Sequence, residues 1–286
     1  MKKTPDVIVS REKEAVVIPK KPRKLSFSRK YLGIPYALFL CMFVILPMCL
    51  IVYYAFTNNL TGKFTFANFG KFFSSASTLA TLFTSLLLAL LTTVCCLLIG
   101  YPVAYILARC NLKKSNVLLM LFITPMWINF VLRAMAMKEV LNLLGMLGNY
   151  NFLNTLIGMV YDYLPFMILP LYTVLIKMDK NVLEASEDLG ANPLTTFLKI
   201  TLPLSLPGII SGVTMVFMPT MTCYVISDTF GNSKITIIGK LIESQFGEAN
   251  NWSYGSAIAL ILLVIMFLCM LISGEFGSKT KRGTNL

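Results

Sequence analysis

Two carboxylates stand where this 286-residue chain is otherwise mostly hydrocarbon: Asp162 and Asp228. An acid inside or at the rim of an apolar span costs a few kilocalories unless it is paired or hydrated, so each is a candidate functional group. Tyr224 precedes Asp228 by four residues, and on a helix the two share a face. A carboxylate beside an aromatic ring is a site for an ammonium ion, through charge pairing and cation–π attraction. The alternative for Asp228 is a residue that closes a helix before Thr229-Phe230-Gly231. Asp162 reads either as a substrate contact or as a local cap for the backbone freed by Pro165, and the residues leave both open. Trp127, in the run Pro125-Met126-Trp127-Ile128-Asn129, is either a packing residue or part of the same path. Arg133, one turn further on, is placed to snorkel toward the span's outer end.

Other chemistries are excluded by composition. The sequence has no histidine, which removes His-ligated haem, H-E-x-x-H zinc sites and Ser–His dyads together. It has no P-loop, so nothing in it hydrolyses a nucleotide. A carboxylate-only protease built on Asp162 and Asp228 has no supporting motif. The seven cysteines lie in apolar segments, apart from Cys110 at a segment's end, and read as small apolar fillers.

The elements that must position these groups are membrane helices. Hydrophobic residues make up 56% of the chain and charged residues 13%, about half the charged share of a soluble domain. Six apolar segments are long enough to span a bilayer: 35–56, 79–107, 117–136, 153–176, 204–226 and 254–272. The expected fold is all-α and polytopic. Interior prolines in the third to fifth segments predict kinks. The N-terminal tail, the loop at 109–114, the segment 177–199 and the C-terminal tail together hold 19 of the 25 basic residues. These places are therefore expected to be cytoplasmic, with both termini inside. Residues 1–30 read as a disordered basic tail beside anionic lipid, neither a signal peptide nor a nucleic-acid arm. Residues 31–275 form the membrane domain and 276–286 a second cytoplasmic tail.

The longest polar interruption of the second half is 181–208. Its sequence predicts two short helices and an elbow. Asn181 caps the first, with Glu184 at its third position, and Leu183, Ala185 and Leu189 form its apolar side. Gly190 takes the left-handed closing position. Asn192 caps a second helix that opens on Pro193 and presents Leu194, Phe197, Leu198 and Ile200. Leu202-Pro203 ends it. This loop resembles the EAA loop of ABC importer permeases: Glu184-Ala185-Ser186, Gly190, Ile200 and Leu202-Pro203 stand at the pattern's positions, with Ser186 for its second alanine. The resemblance implies that the loop, about 180–203, docks into a groove on a separate ATPase, with Glu184, Ala185, Gly190, Ile200, Leu202 and Pro203 as coupling residues.

A second likeness is narrower. The run from Tyr224 through Ser227-Asp228 to Gln245-Phe246 is similar to the first, B-type, permease of spermidine/putrescine importers. So is the run from Pro125 to Arg133, and the aromatic stretch Thr65-Phe66-Ala67-Asn68-Phe69, which otherwise reads as an interfacial belt or a docking surface. The likeness covers nearly everything between the tails. It implies half of a translocation channel for polyamines, with Asp228, Tyr224 and Trp127 along the path; Asp162 joins that path on its depth in the span, not on the likeness. The partners it implies are a second permease, two ATPase subunits that carry ATP and Mg on the cytoplasmic side, and an extracellular or periplasmic binding protein. No cofactor is expected in this chain. The competing readings are a stand-alone secondary transporter, for which no second copy of the loop is present, and an ABC permease for another small solute.

Overall fold

The structure is a computed structural model and describes residues 33–59, 61–109, 115–231 and 234–283. The tail at 1–30 therefore lies outside the described residues, as does Cys110. The chain divides into two units, 1–47 and 48–286. In the first, helix α1 (Gly33–Leu40) passes into a π-helical turn over Cys41–Ile45. Tyr36, Phe39, Met42 and Phe43 are all exposed, as lipid-facing residues are.

The second unit carries the remaining helices: α2 (Leu46–Ala55, whose first two residues precede the boundary), α3 (Ala67–Ser74), α4 (Ala76–Arg109), α5 (Ser115–Ile123), α6 (Phe130–Leu143), α7 (Asn151–Ile176), α8 (Lys180–Asp188), α9 (Pro193–Thr196), α10 (Leu202–Thr222), α11 (Tyr224–Phe230), α12 (Ile238–Phe246) and α13 (Trp252–Gly283). One isolated antiparallel bridge, Thr57 with Phe64, is the extent of β-pairing among the described residues. Among the described residues, five helical stretches are long and apolar enough to cross a membrane, six when the bent pair is counted as one span. The expected all-α polytopic fold is what is found.

Helices α4, α7 and α10 form the centre. Cys96, Tyr101 and Ala104 of α4 meet Met167, Leu171 and Tyr172 of α7 and Val216 of α10. Lipid is as apolar as these side chains, so burial drives little here and close packing does the work. A second cluster joins Phe72, Ala89 and Met221 to Ile238, Tyr254 and Ile258. A third joins Leu88, Ala134, Leu141 and Met159 to Ile226, Phe230 and Ile237.

The prolines act in two ways. In α7 the helix runs through Pro165 and Pro170 without a break. In α10 the expected stop at Leu202-Pro203 does not occur. The chain widens to a π turn over Phe197–Thr201, where the Leu202 N–H reaches back to the Phe197 carbonyl, and then continues as one helix to Thr222. The wider turn gives the Pro203 ring the space that an α-helix would deny it. The same device precedes Pro47, where the Leu46 N–H bonds the Cys41 carbonyl. The third apolar segment does break: Val117–Trp127 and Phe130–Leu143 meet at 99°, with a 3₁₀ turn over Thr124–Trp127.

The start of helix α12 is tied to α4 by a buried hydrogen bond, from the Ile238 N–H to Ser85 Oγ at 2.7 Å. Replacing Ser85 by Ala strands that N–H, at a cost of about 1–3 kcal/mol. The S85A protein should unfold at lower temperature in detergent than the parent; an unchanged midpoint would mean that another group takes the N–H.

Candidate functional site

Three groupings gather the residues singled out above. The first is the polar loop. Its first helix is capped by Asp179, whose carboxylate accepts from the Asn181 N–H at 3.0 Å. Asn181 is therefore inside the helix and does not cap it; an aspartate two residues upstream reaches the same open amides and adds charge favourable to the helix terminus. The second cap is Asn192, which accepts from the Thr195 N–H at 2.7 Å. Gly190 has φ +81°, the left-handed conformation the elbow needs.

Most of the expected apolar side of α8 is turned outward: Leu189 is 90% exposed and Ala185 is exposed, while Leu183 is half-buried. Val182 is exposed as well, and Ser186 is the buried residue. The reason is a polar clasp: the Ser186 and Thr196 hydroxyls lie 3.0 Å apart and join the two short helices. Leu194 and Leu198 are exposed as well, while Phe197 turns inward, edge-on to Tyr101 and Tyr105 of α4 at 5.6 and 5.7 Å. Tyr101 in turn hydrogen-bonds Ser205 at 2.9 Å. The loop thus offers an apolar face with Glu184, Glu187 and Asp188 exposed beside it, and its root is locked to the central helices.

The second grouping is a cavity of about 470 Å³ at the break in the bent span. Trp127, Phe130, Tyr163 and Phe166 supply aromatic walls, and Asp162 and Arg133 are among its lining residues. Arg133 does not snorkel. It is 8% exposed, and its Nε donates to Asp162 Oδ1 at 2.5 Å while Nη1 donates to the Pro125 carbonyl at 3.0 Å. Asp162 accordingly does not cap the backbone near Pro165; a guanidinium on α6 has first claim on it. Trp127 is 88% exposed. Asn129 caps α6 by accepting from the Val131 N–H at 2.9 Å.

The third grouping contains Tyr224 and Asp228, both on α11 and half-buried. Asp228 does not close the helix, which runs two residues further. Its Oδ2 pairs with Lys240 Nζ of α12 at 3.1 Å. The same ammonium lies 3.1 Å from Glu243 Oε2 and 5.3 Å from the centre of the Tyr224 ring. Glu243 first, and then Asp228, hold Lys240 protonated above the ordinary lysine range. Gly239 makes the approach possible: a Cβ there would overlap the Thr222 carbonyl at the end of α10. The four path residues expected from sequence therefore fall into two places, Trp127 with Asp162 and Tyr224 with Asp228. Cys223 and Ile226, between and beside the second pair, line the first cavity.

Sequence reasoning did not find Lys240 or Glu243. Glu243 was within reach, three residues from Lys240 on one helix face. The pairing of Lys240 with Asp228 depends on the path of 231–237, which has no periodicity to read. Ser186 carried a signal in its departure from alanine.

Residues 100–281 match the family described as binding-protein-dependent transport system inner membrane component. The chain belongs to that family. It is 35% identical over 253 residues to the spermidine/putrescine transport system permease protein PotB of Haemophilus influenzae, covering 82% of this chain and 88% of that one. To PotB of Escherichia coli it is 38% identical over 203 residues, 66% of this chain and 74% of that one. A solved bacterial ABC transporter involved in import of the acidic polysaccharide alginate superposes with a TM-score of 0.69 at 15% identity, over 90% of this chain and 96% of that one. At that identity the likeness is one of fold. This chain is a membrane-embedded permease component, as its relatives are transport permeases.

Replacing Arg133 by Met leaves the Asp162 carboxylate buried and uncompensated, a loss of about 3–5 kcal/mol. Adding Asp162→Leu to that variant should restore most of the stability. A double-mutant cycle on thermal unfolding in detergent measures the coupling, and simple additivity would show that the two residues act independently.

Proposed function

We propose that this chain is one permease subunit of an ATP-driven importer of polyamines, forming half of the translocation channel. The observation that carries the substrate class is the 35% identity with a spermidine/putrescine permease over 82% of the chain. The residues fit such a cargo: aliphatic polyammonium ions ask for carboxylates and ring faces; Asp228 with Tyr224 provides both, and Trp127 adds a ring face in the cavity where Asp162 is already paired with Arg133. The second channel half is a different permease chain. ATP and Mg belong to two ATPase subunits on the cytoplasmic side, and a binding protein delivers cargo from outside. Both termini and the 180–203 loop face the cytoplasm, in keeping with the excess of Lys and Arg there.

In this reading the exposed Val182, Leu189, Leu194 and Leu198 enter the ATPase groove, and the acidic edge at Glu184, Glu187 and Asp188 meets basic residues on its rim. Gly190 and Asn192 set the angle between the two short helices. The ATPase moves the loop, and the continuous helix from Asn192 to Thr222 carries that motion into the spans.

Two outcomes test this. Asp228→Asn should cut radiolabelled spermidine uptake about tenfold or more at matched membrane levels, because a contact to a charged group contributes about 1.5–3 kcal/mol. Full uptake would remove Asp228 from the path. Gly190→Val forces a β-branched residue into positive φ. That variant should assemble with the ATPase but lose substrate-stimulated ATP hydrolysis, and wild-type stimulation would reject the elbow as the coupling element.

A further inference from the structure

The cation site at α11 and α12 already holds a cation. Asp228, Glu243 and the Tyr224 ring surround one ammonium, and it is the chain's own: Lys240 Nζ, at 3.1, 3.1 and 5.3 Å. The geometry points to Lys240 as a tethered occupant that a substrate ammonium must displace, and hence as a specificity-determining residue. This rests on the reading of Asp228 and Tyr224 as part of the polyamine path.

The chemistry of the site supports the role. Lys240 is held at the end of a flexible four-carbon stem on α12, and its side chain is 30% exposed, so it has somewhere to go when displaced. The two carboxylates face a single ammonium, which leaves one negative charge in excess. A monovalent ammonium competes on equal terms of charge with a group whose effective concentration is already millimolar or more. It gains nothing by exchange. A polyamine brings several ammonium groups on one chain, so each carboxylate can receive its own and the released Lys240 moves to water. The tethered lysine thereby discriminates against simple ammonium and alkali cations while leaving polyvalent ones able to enter. Occupancy by Lys240 also weakens apparent binding by the fraction of time the site is free, so a site held nine-tenths of the time binds about tenfold more weakly than an empty one.

The test is equilibrium binding of radiolabelled spermidine to the complete transporter in nanodiscs, without binding protein, for the parent, Lys240→Gln and Lys240→Met. Both variants should bind spermidine about tenfold more tightly. Propylamine, which competes poorly in the parent, should compete at severalfold lower concentration in both. Co-purification of all subunits establishes assembly. Unchanged or weaker spermidine binding in both assembled variants overturns the tethered-occupant role. Asp228→Asn placed in the Lys240→Gln background separates the two ideas. Loss of the tight binding there keeps Asp228 in the path, whatever Lys240 does. Retention of it means that spermidine binds elsewhere, and the path assignment itself fails.

Discussion

A bilayer offers a broken helix nothing to hydrogen-bond, so a span can bend only where the protein itself supplies the missing partner. In this chain that partner is Arg133. Its guanidinium reaches the Pro125 carbonyl on one side of the 99° bend and Asp162 of α7 on the other. Asn129 closes the opposite end by taking the Val131 N–H. The bend, the aromatic cavity beside it and the position of Trp127 all depend on this one ion pair. Lysine has no fork with which to hold a carbonyl and a carboxylate at once. The pair is also neutral as a unit, so the cavity it lines carries no net charge from these two residues.

The loop and the spans are joined by a different constraint, one of backbone continuity. A helix that stopped at Leu202-Pro203 would leave a flexible joint between docking face and membrane. The π turn instead absorbs the proline, and the helical backbone from Pro193 onward reaches Thr222. Phe197, wedged edge-on to Tyr101 and Tyr105, and the Tyr101–Ser205 hydrogen bond fix the root of that helix against α4. The elbow at Gly190 takes a positive φ, and its two arms are held together by Ser186 and Thr196. The loop is thereby bonded into one piece with the helix that enters the central spans.

Features set by local chemistry were legible in the sequence. The apolar segments gave the spans, Asn192-Pro193 gave a helix start, and Gly190 gave a left-handed turn, because each depends on a residue and its immediate neighbours. The first helix start was misplaced by two residues since Asp179 and Asn181 are both good caps and only the path of the chain chooses between them. Proline was over-read at 203, where a wider turn removes the clash, and under-read at 125, where the helix breaks outright. The apolar side of α8 was legible as Leu183, Ala185 and Leu189, but the residue the helix buries was not: a clasp of two hydroxyls buries Ser186. Arg133 with Asp162 and Lys240 with Asp228 join residues on different helices, and no spacing along the chain announces such pairs.

Asp162 and Asp228 thus each have an internal cation, and the two are answered in opposite ways. Arg133 is buried and rigidly bonded at two points, so Asp162 is neutralised permanently. Lys240 is half-exposed and shares its charge between two carboxylates, so Asp228 is neutralised reversibly. Conduction of a charged cargo needs sites favourable enough to enter and weak enough to leave. A bare pair of carboxylates fails the second condition for a polycation, because both charges then hold one cargo at once. A resident ammonium lowers the depth of the well without removing the carboxylates, and it returns as the cargo departs. The site is shallow because cargo must compete with a tethered ammonium.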